Sequence, residues 1–173
     1  MSLRPAKCYR KIERPYTRIS VRRPRRSYVK GVPASKIHRF ETGKPKDEFK
    51  TRLYLVSKNA CQIRHNALEA ARVAAVKALS KTIGESNYFL KVLVYPHHVL
   101  RENPLATGAG ADRFQTGMRL AFGRPIGTAA QVKKNQRVFE VRVSSGHEDK
   151  AKKALKIASS KLPVTWKIEV KTN

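Results

Sequence analysis

Five prolines, Pro5, Pro15, Pro24, Pro33 and Pro45, recur at intervals of about ten residues through the first fifty positions. Each fixes φ and removes a backbone donor, so a long helix cannot form across them. The apolar residues between them are too scattered to build a core alone. The spacing therefore predicts an extended arm over residues 1–50 that becomes ordered on a partner. A folded domain over residues 51–173 follows, because the apolar pattern turns regular at Thr51.

Charge says what kind of partner that is. The first fifty residues hold sixteen Lys or Arg against four acids, and the whole chain carries 38 Lys plus Arg against 12 Asp plus Glu, a formal net charge of +26 over 173 residues. Such a chain repels itself unless an anion neutralises it, and a polyphosphate is the commonest anion on that scale. Within the arm, RISVRRPRRSYVKG (Arg18 to Gly31) groups arginines around Pro24 with Tyr16 and Tyr28 nearby. Arginine forks bind phosphate and stack on bases, and tyrosine stacks as well.

Other partners and compartments find less support. A membrane surface would call for an amphipathic basic helix or a lipidation signal, and neither end reads as one. No apolar run approaches the roughly 18 residues of a membrane span, and no signal-peptide pattern opens the chain. A soluble, cytoplasmic protein is expected. Cys8 and Cys61 have no C-x-x-C spacing, so neither a disulfide framework nor a zinc site is expected.

From Thr51 on, the pattern predicts an α+β layout with two main helices packed on one face of a mainly antiparallel sheet. TRLYLVSK (Thr51 to Lys58) reads as a strand, as do YFLKVLVYP (Tyr88 to Pro96), MRLAFG (Met118 to Gly123) and RVFEVRVSS (Arg137 to Ser145). RHNALEAARVAAVKALSKTIG reads as a helix with Leu68, Ala71, Ala75 and Leu79 as its buried stripe, Asn66 and Glu69 as a capping box and Gly84 as its stop. A second helix has Ser145 and Glu148 as its box and Ala151, Ala154, Leu155, Ala158 and Leu162 as its buried face. GTAAQVKKNQ is a connection that turns at Lys133 to Gln136, and VTWKIEV (Val164 to Val170) alternates as a closing strand.

Between the strands lies HHVLRENPLATGAGADRFQTG, with no regular period. Loops of this length inside a compact domain tend to be functional or disordered. Gly108, Gly110, Gly117 and Gly123 leave two chemical readings open, a nucleotide cradle or a contact with a nucleic-acid backbone. No G-x-x-x-x-G-K-[ST] string occurs, and Arg113 stands where the third glycine of G-x-G-x-x-G would be. His97, His98 and Glu102 could be drawn as an acid–base or metal cluster, but paired histidines in a basic chain more often meet phosphate or cap a strand end. Asp112 and Arg113 read either as a local ion pair that rigidifies a turn or as the setting of a contact role for Arg113. By elimination the segment is a glycine-rich finger suited to RNA.

The strings LRPAKCYRKIERPYTR, VKGVPASKIHRFETG, QIRHNALEAARVAAVKAL, PHHVLRENPLATGAGADR and GAGADRFQTGMRLAFGRPIGTAAQV stand in that order and span nearly the whole chain. Together they resemble the universal large-subunit ribosomal protein family of bacterial L-sixteen and archaeal-eukaryotic L-ten-e, in its archaeal form. The resemblance implies a hammerhead-type α+β domain bound to large-subunit (23S-type) rRNA near the central protuberance and the 5S rRNA, among neighbouring ribosomal proteins. It further implies that the protein lines the A-site cleft where tRNA is accommodated and that its loop, at about residues 101–117, points toward the peptidyl transferase centre. Arg101, Gly108, Gly110, Asp112 and Arg113 would then be the tRNA-proximal residues. Neither a cofactor nor a small-molecule substrate is implied, and the role would be structural rather than enzymatic.

Phosphate contacts are expected from Arg4, Arg10, Arg18, Arg22, Arg23, Arg25, Arg26, Lys30 and Lys36 in the arm, from Arg64 and His65 at a helix start, and from Arg119, Arg124, Lys133 and Lys134. Gln131 departs from the family's G-T-A-A-R-V pattern, which implies that one phosphate is left without an arginine there. A non-ribosomal RNA chaperone or RNA-modification accessory protein is the alternative with the same composition, and a nucleotide-acting enzyme the more distant one.

Overall fold

A computed structural model describes residues 3–12, 29–43, 45–46, 49–104, 108–110 and 117–172. Its strands are β1 (Glu41–Gly43), β2 (Thr51–Ser57), β3 (Cys61–Arg64), β4 (Tyr88–Val92), β5 (His98–Glu102), β6 (Arg124–Val132), β7 (Arg137–Val143) and β8 (Trp166–Thr172), and its α-helices are α1 (His65–Ile83) and α2 (Glu148–Ser159). The fold is α+β. In place of the single sheet expected, the strands make two antiparallel sheets, one ordered β1-β4-β7-β2-β8 and one ordered β3-β6-β5.

The helix stripes bury as their spacing requires. Leu68, Ala71, Ala75, Leu79 and Ile83 of α1 and Ala151, Ala154, Leu155 and Ala158 of α2 are all buried. Alanine at these positions removes the bulk that would hold the helices apart, and α1 packs directly on α2. Leu53 and Leu55 of β2, Leu90 of β4 and Phe139 and Val141 of β7 belong to the same core. Each fully buried leucine there contributes about 1.5–3 kcal/mol of hydrophobic stabilisation.

Helix starts differ from expectation. Neither capping box forms: α1 begins at His65, one residue before Asn66, because β3 runs directly into it through an extended Arg64 (ψ 149°). The Asn66 Oδ1 accepts from the Ala67 N–H at 2.9 Å, and Glu69 pairs with Arg72. In α2 the N-cap is His147, and the Glu148 carboxylate accepts from the Thr51 hydroxyl at 3.2 Å instead of reaching back to Ser145. The stop at Gly84 does form, with φ 89° and its N–H donated to Ser80 O.

The middle of the chain departs furthest from expectation. MRLAFG is not a strand: Gly117–Leu120 is a short 3-10 turn, and Met118 and Phe122 are 80% and 58% exposed. An apolar run with no sheet neighbour has nothing to alternate against. Two strands occupy stretches read as loop and connection: β5 opens the long passage at His98, and β6 runs through GTAAQV before the expected turn, where Gln136 donates its N–H to Lys133 O. The small residues at the centre of β6 answer to packing, since a Cβ on Gly127 would stand 3.1 Å from the His65 ring. In the closing strand, Trp166 and Ile168 pack against the core, whereas Val164 precedes β8 with φ 58°.

Part of the segment read as an arm shares this core. Ile37 is 2% exposed, Val29 and Phe49 are buried, and β1 forms the edge of the larger sheet through its pairing with β4. Among the described residues no helix is long and apolar enough to cross a membrane.

Candidate nucleic-acid interface

The long glycine-rich loop is the tip of a hairpin. β5 and β6 pair antiparallel with Glu102 opposite Arg124, so the chain leaves the sheet at Glu102 and re-enters at Arg124. The neck of that hairpin is braced at several points. Gly123, at φ 74°, lies so close to the opposite strand that a Cβ would stand 2.6 Å from Glu102 backbone atoms. Asn103 donates from Nδ2 to Gly117 O at 3.3 Å. Arg101 donates to the Phe122 carbonyl at 2.5 Å and lays its guanidinium 3.7 Å from the Phe122 ring centroid.

The N-terminal segment supports the neck from outside. Gln62 of β3 donates its backbone N–H to Arg10 O at 2.8 Å and its side-chain amide to Tyr9 O at 2.9 Å, which lays residues 9–10 along the strand. The Tyr9 hydroxyl donates to Arg101 O at 3.4 Å, and Arg4 pairs with Glu102 at 2.8 Å. Arg64 donates to Arg4 O at 2.9 Å and stands over the Tyr9 ring at 5.7 Å. Burial, then the Glu102 carboxylate, pushes the Tyr9 phenol above its ordinary value, so it stays protonated and keeps donating. Arg4, Arg101 and Arg124 therefore stand at the neck, and Arg64 reaches Arg4 from β3, while Arg10 lies further along β3 against Gln62.

The remaining candidates lie elsewhere. Lys30 and Lys36 are exposed on the segment that covers the start of α1. His65 serves there as an anchor: its Nδ1 accepts the Lys36 N–H at 3.3 Å and lies 3.2 Å from the Thr128 hydroxyl. Burial, with Lys36 and Arg64 close by, holds the imidazole below its ordinary pKa, so the ring is neutral and acts by hydrogen bonding. Lys133 and Lys134 are exposed at the β6–β7 turn, the length of the nine-residue β6 away from the neck. Arg119 is exposed on the 3-10 turn, and Gly108 and Gly110 are exposed in the loop with open space around them. Arg18, Arg22, Arg23, Arg25, Arg26, Asp112 and Arg113 lie outside the described residues.

The histidine and carboxylate cluster does not assemble. Glu102 is taken by Arg4, His98 is buried in β5, and His97 meets the Tyr95 ring in a tilted contact at 4.4 Å. Among the described residues no group of three His, Cys, Asp or Glu side chains could hold a metal ion. Gln131 donates to Gln62 at 3.3 Å and so steadies the residue that holds the N-terminal segment. Sequence reasoning passed over Tyr9, Gln62 and Phe122, and it took Gly123 as part of the flexible loop rather than as the fixed neck. A glycine directly before an arginine-proline strand start was the one available signal, and it points to Gly123.

A basic α+β protein with a braced, arginine-flanked hairpin loop belongs to a class whose surface is built for polyanions. The model of the family "Ribosomal protein L16p/L10e" matches residues 16–169, and this chain belongs to that family. It is 55% identical over 172 residues to the large ribosomal subunit protein uL16 of Staphylothermus marinus, covering 99% of this chain and 95% of that one. With the uL16 of Sulfolobus acidocaldarius it shares 52% identity over 173 residues (98% and 94% of the two chains). With that of Archaeoglobus fulgidus it shares 46% over 170 residues (98% and 94%).

Proposed function

We propose that this chain is a structural constituent of the large ribosomal subunit, holding large-subunit rRNA near the central protuberance beside the 5S rRNA. On this reading the hairpin loop reaches into the A-site cleft and helps position tRNA, while the RNA performs the chemistry. The observation that carries it is the braced neck, where Gly123, Arg101, Phe122, Arg4 and Tyr9 fix the direction in which a glycine-rich tip leaves the body. A tip that must reach a moving ligand needs a rigid base. The arginines around it give affinity through phosphate neutralisation, and RNA shape gives specificity.

Replacing residues 105–116 by a short Gly-Ser linker tests the reading. The neck contacts stay, so subunits carrying the shortened chain should still sediment as large subunits, and tRNA accommodation should slow. Accommodation at the normal rate would remove the loop from this role.

A further inference from the structure

Beyond the neck, the junction of β4 and β5 carries a feature that phosphate binding leaves unused. After β4 the exposed residues alternate with buried ones: Leu93, Tyr95 and His97 face out, while Val94, Pro96 and His98 face in. His97 donates its N–H to Tyr95 O at 3.0 Å across Pro96, whose ring restricts the backbone, so the two outward side chains are held side by side. Their rings continue a run that starts inside the protein. Phe40, packed against the core, stacks on Tyr95 at 5.3 Å and 21°, and Tyr95 meets His97 at 4.4 Å and 44°. The stack is thus anchored at one end and open at the other, where Tyr95 is 52% exposed.

The open end borders a cleft of about 450 Å³ whose walls include Val32, Pro33, Ser35, Tyr95, His97 and Thr128. Its surroundings are mainly cationic. The segment that supplies Val32, Pro33 and Ser35 also carries Lys30, Lys36, His38 and Arg39, all exposed, with no acid before Glu41, whose carboxylate is paired with Lys91, and residues 88–101, which supply the other wall, carry no acid. An apolar, ring-lined slot within a cationic rim matches an unstacked nucleobase with its phosphates, because any base offers a π-face and its backbone brings the negative charge.

We propose that this cleft receives an unstacked base of the rRNA, stacked on Tyr95 and His97, with its backbone along Lys30, Lys36 and Arg39. The site is separate from the loop. It borders Thr128, in the middle of β6, while the loop leaves from the strand's first residue. The occupant is therefore part of the anchoring RNA rather than the ligand of the loop. The proposal rests on the ribosomal reading given above.

The test is chemical probing of unpaired rRNA bases in large subunits assembled with the unaltered chain, with Tyr95→Ala, with Tyr95→Phe and with His97→Ala, first without tRNA and then with tRNA added. The expected result is a rise of roughly fivefold or more in the reactivity of one or a few bases in Tyr95→Ala subunits, a smaller rise at the same bases in His97→Ala, and none in Tyr95→Phe, which keeps the ring. Unchanged reactivity in subunits that contain both alanine variants overturns the proposal while leaving the ribosomal reading intact. Equal rises in the alanine and phenylalanine variants overturn it too, since they would trace the effect to the hydroxyl. Protection that appears only when tRNA is added assigns the cleft to tRNA and refutes the rRNA assignment. If the unaltered chain does not enter large subunits at all, the underlying reading fails with it.

Discussion

Gly123 stands against Glu102 so closely that a β-carbon would lie 2.6 Å from the Glu102 carbonyl carbon and oxygen, and its φ of 74° is one that other residues adopt only with strain. Gly123→Ala should therefore cost more than about 1 kcal/mol and open the neck of the hairpin. In the free chain, thermal melting should fall and tryptic cleavage after Arg119 should quicken. Unaltered melting and cleavage would mean the neck is not fixed by this contact.

The core makes a paired prediction on one helix. Leu155 is fully buried in α2 and Ile157 is 47% exposed. Leu155→Ala should destabilise by about 2–5 kcal/mol, while Ile157→Ala should cost less than about 1. Denaturant unfolding of the two variants reads the difference.

Acid should loosen the contact between residues 29–37 and α1. His65 has its pKa held below the ordinary value of 6.5 by burial, Lys36 and Arg64, so between the two values the unfolded chain binds the extra proton and the folded chain does not. Stability is then fully present above about pH 6.5 and declines as pH falls through the window below it. Protonation also removes the lone pair that accepts the Lys36 N–H. His65→Gln should flatten this part of the stability–pH curve, measured by thermal melting from neutral to mildly acidic pH.

Thiol reactivity separates the two cysteines. Cys61 is buried in β3, and burial pushes its thiol up, while Cys8 is exposed. A maleimide should label Cys8 rapidly in the native chain and reach Cys61 only after denaturation. Equal labelling rates would show that β3 opens readily.

The arginines of the arm carry an electrostatic prediction. Replacing Arg22, Arg23, Arg25 and Arg26 by Ala should weaken RNA binding and make the salt dependence shallower by roughly 0.7–0.9 for each phosphate that is no longer neutralised. The unfolding free energy of the domain should barely move. A salt slope equal to that of the unaltered chain would show that these side chains do not meet phosphate.

Periodicity carried the helices. Ala and Leu at three- and four-residue spacings named the buried faces of α1 and α2 correctly, since a helix exposes its stripe whatever it packs against. The two capping boxes failed because a cap depends on where the preceding chain arrives, and β3 arrives without a loop. β6 was hidden for a related reason. Its Gly127-Thr128-Ala129-Ala130 centre has low strand propensity and is chosen for room beside His65, which no local window displays. Ile37 as a core residue and β1 as the edge of the larger sheet were unreadable because their partners are distant in sequence.

Of the interface, the residue types were legible and the grouping was not. Basic residues announce a polyanion, but that Arg4, Arg64 and Arg101 meet at one place follows from Tyr9, Gln62 and Glu102, whose roles are set by tertiary contacts. His65 read as a phosphate contact, and what its spacing did not show is that its Nδ1 accepts the Lys36 N–H while burial holds the ring below its ordinary pKa. The resemblance to the ribosomal family was carried by whole strings in order, and the family match bears it out.

Sedimentation of a cell lysate through sucrose, at moderate and then at high salt, tests the central claim most directly. On the proposed reading the chain should track the large subunit and whole ribosomes at both salt concentrations, because contacts matched to RNA shape would outlast the screening of surface charge. A chain that stays at the top of the gradient, or that leaves the particles at moderate salt, would contradict its place as a constituent of the large subunit.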